Sequence, residues 1–185
     1  MQVSALPGEI VLDFCAGSGG KSLVIAQSME QTGKLYLHDV RDRLLTQART
    51  RLRKAGITNY ELITSESENL KKLVGKCNWV VVDVPSSGTG VFRNNPELKW
   101  KYNDDFVKNC VEKQREIFSQ AVKYLRRKNG KIVYITGSVL PEENAEQVKY
   151  FCLTHKLLLS KEPVHSLPQS RGMNGFFCAV MERSL

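Results

Sequence analysis

This sequence lacks any apolar run of membrane-spanning length. Its opening Met1-Gln2-Val3-Ser4-Ala5-Leu6-Pro7 also lacks a basic stretch ahead of an apolar block. Neither a helical membrane span nor an export signal is predicted, so the expected location is the cytoplasm, with no membrane partner. Paired cysteines are missing as well. Cys15, Cys77, Cys110, Cys152 and Cys178 are scattered, odd in number and form no C-x-x-C pair. That argues against a disulfide frame and a structural zinc, and predicts free thiols and no metal site. There are no internal repeats and no low-complexity segments. Acidic residues are outnumbered, 19 Asp and Glu against 27 Lys and Arg, giving a net charge of +8. A basic excess favours a polyanionic partner, RNA or DNA first, with plain solubility as the alternative.

What the chain does have is alternation. Apolar runs predict strands at Ile10–Phe14, Lys34–His38, Glu61–Ile63, Trp79–Asp83, Lys131–Ile135, Leu157–Leu159 and Phe176–Met181. Helical patterns occupy Lys21–Glu30, Arg41–Ala55, Glu66–Val74, Asp104–Arg127 and Pro141–Thr154. In the long helix, Val107, Cys110, Val111, Gln114, Ile117, Phe118, Ala121 and Leu125 fall on one stripe, Asn103 or Asp104 can cap its start, and Gly130 lies beyond its end. Strand–helix alternation implies an α/β fold with a doubly wound, mostly parallel sheet and helices on both faces. The tail, with a strand at each end and no helix between, predicts a closing antiparallel hairpin. A chain of 185 residues is expected to form one domain. The longest irregular piece, Pro85–Asn103, has a length usual for functional loops.

The first strand runs into Asp13-Phe14-Cys15-Ala16-Gly17-Ser18-Gly19-Gly20-Lys21-Ser22. Glycines there let backbone approach a ligand and adopt positive φ, and a helix start favours electron-rich ligand atoms. The spacing is neither a Walker loop nor G-x-G-x-x-G. Asp39, after the second strand, stands where a carboxylate can accept hydrogen bonds from both ribose hydroxyls. A nucleoside-containing cofactor is expected; a bare tight turn is the alternative.

The stretches from Asp83 to Trp100 (Asp83-Val84-Pro85-Ser86-Ser87-Gly88-Thr89-Gly90, then Val91-Phe92-Arg93 and onward) and from Tyr134 to Asn144 (Tyr134-Ile135-Thr136-Gly137-Ser138, then Pro141-Glu142-Glu143-Asn144) are more specific. With them the chain resembles the RNA cytosine-5 methyltransferases of the Sun/Fmu type, S-adenosylmethionine enzymes acting on ribosomal and transfer RNA. The resemblance runs to Gly175-Phe176-Phe177. It implies a Rossmann-like class I methyltransferase sheet, S-adenosylmethionine as cofactor and rRNA or tRNA as partner. It assigns Cys15, Ala16, Gly17, Ser18, Gly19, Gly20 and Lys21 to the cofactor loop, where Gly17 and Ser18 replace the usual Ala and Pro. Asp39 matches the ribose acid. Ser65 falls where an adenine-contacting Asp is usual, with Glu66 beside it as a substitute. Asp83 matches the strand-end acid near cofactor and base. An RNA-binding segment usual ahead of this domain is not in the chain, which is read as a fragment or a minimal form.

The resemblance also marks what is missing. The usual P-C-S is Pro85-Ser86-Ser87, and the usual T-C-S is Thr136-Gly137-Ser138; Asn174 replaces an Asp. In the family, the cysteine of T-C-S attacks C6 of cytosine and the one of P-C-S helps resolve the adduct. Thiolate is accessible near neutral pH, whereas a serine hydroxyl needs an adjacent base, and His38, His155 and His165 are not obvious partners for Ser86. The expectation is a methyltransferase-like domain with cysteine-dependent catalysis lost or impaired. The alternatives are exocyclic-amine chemistry, since Asp83-Val84-Pro85-Ser86 loosely resembles D-P-P-Y, and a non-catalytic RNA-binding or assembly module. Arg93, Lys99, Trp100 and Lys101 interleave cation and aromatic as RNA contacts would; the alternative is that Trp100 packs under the loop. The basic run Arg41, Arg43, Arg49, Arg51, Arg53 and Lys54 reads as a solvated helix face.

Overall fold

A computed structural model of the chain describes residues 3–65, 67–169 and 172–183. Its strands are β1 (Ile10–Asp13), β2 (Lys34–His38), β3 (Tyr60–Ile63), β4 (Trp79–Asp83), β5 (Lys131–Thr136), β6 (Leu157–Leu159), β7 (Val164–Ser166) and β8 (Phe176–Arg183). Its helices are α1 (Gly20–Ser28), α2 (Asp42–Lys54), α3 (Glu68–Lys72), α4 (Leu98–Lys101), α5 (Asp104–Ala121) and α6 (Ala145–His155). The hydrogen-bonded order is β3-β2-β1-β4-β5-β8-β6, with β7 also on β8. Pairs β1–β2, β1–β4 and β2–β3 are parallel, while β6 and β7 run antiparallel to β8. The predicted closing hairpin is therefore present, with β7 added between its two strands along the chain.

By internal contacts the chain falls into two units, Met1–Val82 with Ala121–Val133, and Asp83–Gln120 with Tyr134–Leu185. In the first, β1 and β4 are apolar almost throughout, as strands covered on both faces must be: Val11, Leu12, Val80, Val81 and Val82 are fully buried. Helix α2 shows why its sequence is helical. Leu45, Ala48 and Leu52 recur at helical spacing and are buried, while Arg43, Arg49, Arg51, Arg53 and Lys54 stay exposed, the solvated face its pattern predicts. In the second unit, Phe118 of α5 stacks on Phe151 of α6 at 3.8 Å between ring centroids, with Tyr134 set edge-on to both.

Three helices depart most from the sequence pattern, each with a local reason. Helix α5 begins after Asn103, whose Oδ1 accepts from Phe106 N at 2.8 Å, but it stops at Ala121 rather than Arg127. Beyond it, Cys77 N donates to Tyr124 O and Arg126 N to Cys77 O, so the chain is drawn into strand-like pairing. Residues Pro141–Glu143 form a 3-10 turn, not the start of α6. Asn144 interrupts the helix because both ends of its amide are engaged: Thr136 Oγ1 donates to Oδ1 at 2.6 Å and Nδ2 donates to Ser138 O at 2.9 Å. Helix α3 is trimmed to Glu68–Lys72, starting where Ser67 Oγ caps Asn69 N.

Candidate active site

In the first unit, the end of β1 turns through Phe14–Gly19 into α1. Ala16 N donates to His38 O, and Gly17 N donates to Asp39 Oδ2 at 2.8 Å, which ties the turn to the end of β2. Gly19 is fixed as glycine twice over: its φ is +80°, and a Cβ there would sit 2.9 Å from Ala48 Cβ of α2. Gly17, φ +53°, has open space where a Cβ would point. A glycine turn beside a buried carboxylate is of the kind that suits a nucleoside ligand, because ribose hydroxyls are donors. Cys15, Ser18 and Lys21 are partly exposed around this turn, and Ala16 is buried.

Asp39 is nearly enclosed and fully engaged. Arg41 N and Arg41 Nε donate to Oδ1 at 3.0 and 2.8 Å; Gly17 N and Arg41 Nη2 donate to Oδ2 at 2.8 and 3.0 Å. Burial pushes this carboxyl up, but the Arg41 guanidinium and the two backbone N–H groups outweigh it and hold the acid below its ordinary value. Ser65, at the expected adenine-side position, shares a hydrogen bond with His38 Nε2 at 3.1 Å, while His38 Nδ1 donates to Phe14 O and the ring stacks on Phe14. Glu66 lies outside the described residues.

In the second unit, the chain leaving β4 and the chain leaving β5 come together. Val84 N donates to Ile135 O and Gly90 N to Gly137 O at 2.9 Å, while Gly175 N donates to Gly90 O at 2.8 Å. These three backbones approach so closely that Cβ atoms at Gly90 or Gly175 would overlap their neighbours. Gly137 is different. Its φ lies outside the left-handed region, and a Cβ would meet Ser86 Oγ and Val91 Cγ1 at 3.7 Å, an ordinary contact. Positions 86 and 137 are thus side by side, with room for a side chain at 137. Asp83, at the end of β4, is partly buried.

Beneath them lies a buried polar frame that the sequence reading missed. Glu143, fully buried, accepts from Ser87 N and Gln114 Nε2, both at 2.8 Å, and from Ser87 Oγ at 2.5 Å. Gln114 also donates to Pro85 O, and Tyr134 Oη donates to Gln114 Oε1 and Glu143 O. Thr89 and Ser138 hydroxyls bond each other at 3.0 Å, and Thr89 Oγ1 accepts from Val139 N. The turn 85–89 is thereby fastened from below. Pro141-Glu142-Glu143-Asn144 stood out as a motif, yet nothing in it says which glutamate turns inward; only packing decides that.

Three of the other thiols are held protonated by burial and are poor replacements for the absent sulfurs. Burial pushes Cys77 up to about 12 and, with the Glu143 charge adding to it, Cys110 up to about 11; burial also raises Cys152. The histidines are occupied elsewhere: His155 Nε2 bonds Ser119 Oγ, and His165 packs against Phe177.

The loop after β4 removes one alternative. Trp100 is 91% exposed, so it does not pack under the loop. Lys99 and Lys101 flank it on α4, also exposed, while Tyr102 leans edge-on against Phe92. Arg93 behaves differently: its guanidinium donates to Gln169 O, Gly172 O and Asn174 Oδ1, and so is already engaged within the protein. Among the described residues no cluster of His, Cys, Asp and Glu could hold a metal ion, and no helix is long and apolar enough to cross a membrane.

The strand order with its reversal at β1 and the glycine turn beside that reversal define a Rossmann-like fold of the class I methyltransferase type. A solved Pyrococcus horikoshii protein described as a methyltransferase homolog has a TM-score of 0.83 at 25% identity, over 98% of this chain and 63% of that one. NSun6 from Pyrococcus horikoshii, solved with SFG, has a TM-score of 0.84 at 24% identity, over 97% and 49%, a likeness of fold. Residues 2–182 match the model of the 16S rRNA methyltransferase RsmB/F family, and the chain belongs to that family of S-adenosylmethionine-dependent RNA methyltransferases. A Mus musculus 28S rRNA (cytosine-C(5))-methyltransferase is 32% identical over 77% of this chain, and ribosomal RNA small subunit methyltransferase B of Pectobacterium carotovorum is 30% identical over 96%. The chain spans 18% and 43% of those two relatives' lengths.

Proposed function

We propose that this chain binds S-adenosylmethionine at the β1 turn and Asp39 and receives rRNA or tRNA in the cytoplasm, but no longer carries out cysteine-dependent C5 methylation of cytosine. Family membership and the geometry of the β1 turn support the cofactor reading. Bound there, S-adenosylmethionine would supply an electrophilic methyl group. The residues assigned to hold it are Cys15, Ala16, Gly17, Ser18, Gly19, Gly20, Lys21 and Asp39, with Ser65 on the adenine side. Exposed Trp100 offers a ring for a base to stack on, while Lys99 and Lys101 neutralise phosphate. Asp83 and Ser86 face the base by analogy with the family pattern.

The observation that carries the loss of activity is the pair Ser86 and Gly137. C5 of cytosine becomes nucleophilic only after a nucleophile adds at C6. Gly137 supplies no atom for that step, and a serine hydroxyl holds its proton near neutral pH without a base. The other thiols whose burial holds them protonated do not substitute. Transfer of tritiated methyl groups from S-adenosylmethionine to rRNA and tRNA tests this directly: the expected result is no labelled 5-methylcytosine, and robust C5 labelling would refute it. Labelling of an exocyclic amine instead would favour the chemistry that needs no covalent adduct. Calorimetry separates the remaining reading, since no binding at millimolar S-adenosylmethionine would leave a non-catalytic RNA-binding module.

A further inference from the structure

We infer that Arg41 is a displaceable latch on the cofactor's ribose site, occupying in the free protein the carboxylate positions that ribose hydroxyls take when the cofactor binds. The inference rests on the cofactor reading of Asp39. A carboxylate offers about four acceptor positions. In Asp39 four N–H groups fill them: Gly17 N, Arg41 N, Arg41 Nε and Arg41 Nη2. A ribose diol needs two. The two backbone donors are fixed by the turn and by the start of α2. The guanidinium is the movable pair, on a side chain 63% exposed with water to swing into. Its fork contacts both oxygens, one through Nε and one through Nη2, so a diol approaching either oxygen meets it. Arg41 is also the residue at the N-terminal boundary of α2 and makes no capping bond with its side chain, so the helix does not depend on that side chain.

With Arg41 largely exposed and only Asp39 buried, the pair stabilises by about 1 kcal/mol, so breaking it weakens cofactor binding by about fivefold. Two consequences follow. Removing the guanidinium tightens binding by that factor. Salt, which screens the pair, tightens binding to the native protein and leaves the variant's affinity flat relative to it.

The experiment is isothermal calorimetry with S-adenosylhomocysteine, which keeps the adenosyl group and lacks the sulfonium charge. Native protein, Arg41→Ala and Arg41→Lys are compared at about 50 and 500 mM salt, a range over which screening changes several-fold. The expected result is binding about fivefold tighter for Arg41→Ala, an intermediate value for Arg41→Lys, and a salt dependence confined to proteins that retain a cation at 41. Equal or weaker binding by Arg41→Ala, with native protein binding normally, overturns the latch alone and makes Arg41 a ribose contact or a bystander. Absence of binding by native protein and by Arg41→Ala at millimolar ligand overturns the cofactor reading, and the latch with it. Thermal unfolding of Arg41→Ala checks that the variant is folded.

Discussion

At the end of β1, a glycine turn and a buried carboxylate of the kind a nucleoside would need are present and already hydrogen-bonded to one another. At the ends of β4 and β5, the supporting frame is intact but the atoms that would react are not there. Asp39 is held by four donors, two of which, the Arg41 guanidinium pair, would leave for a ribose diol. Gly137, by contrast, leaves space beside Ser86 Oγ above a carboxylate with no contact to solvent. The contrast separates two kinds of residue. Glu143, Gln114 and Tyr134 contribute to folding whether or not a reaction occurs, because a buried donor or acceptor left unmatched is costly. A nucleophile at 137 would contribute to a reaction only, and the fold is indifferent to its removal.

The sharpest way to break this comparison is to return the sulfur. Gly137→Cys is expected to yield a covalent RNA adduct on a denaturing gel, and Gly137→Cys with Ser86→Cys to raise C5 methyl transfer by about 100-fold or more over the native protein, a typical scale for a positioned catalytic group. If a folded double variant stays inactive, the strand ends have lost more than two sulfurs. Next comes the frame. Glu143→Ala strands Ser87 N and Gln114 Nε2 without their acceptor and should destabilise by about 3 kcal/mol, a fall in Tm of about 9 °C. A near-native Tm by calorimetry would show that the frame is not structural.

Trp100→Ala should weaken binding of a single-stranded RNA by about tenfold while leaving Tm unchanged, since the ring is exposed. A drop in Tm with unaltered RNA affinity would make Trp100 a packing residue after all. The smallest effect concerns pH. Burial raises the Asp39 carboxyl, but Arg41 and the backbone donors hold it below the ordinary value. A depressed acid stabilises the fold fully above its unfolded value of about 4, and loses that contribution as pH falls through the lower folded value. The Tm difference between native protein and Asp39→Asn should therefore stay level from about pH 8 to 5 and close below about pH 4. A difference that grows on acidification would contradict the assigned state of Asp39.

Strand positions, the parallel order and the family were legible because they are written in local patterns: apolar runs such as Val80-Val81-Val82, glycines at turns, and motifs at strand ends. Helix limits were less so. Asn144 breaks a good helical pattern because its amide is taken by Thr136 and Ser138, and residues 124–126 leave α5 to pair with Cys77. Neither partner is visible in the helix's own sequence.

The sequence by itself determined that no sulfur stands at 86 or 137, that the chain is basic, and the order in which strands and helices alternate; these are matters of identity and order. Tertiary structure alone decided that Glu143 turns inward while Glu142 does not, and that Arg93 bonds residues 169, 172 and 174 while Trp100 is left in solvent. The reason is physical. A polar side chain on a short segment is satisfied equally well by water or by protein, and which it meets depends on backbones brought close by chain closure across 50 residues or more, as Ser87 and Glu143 are.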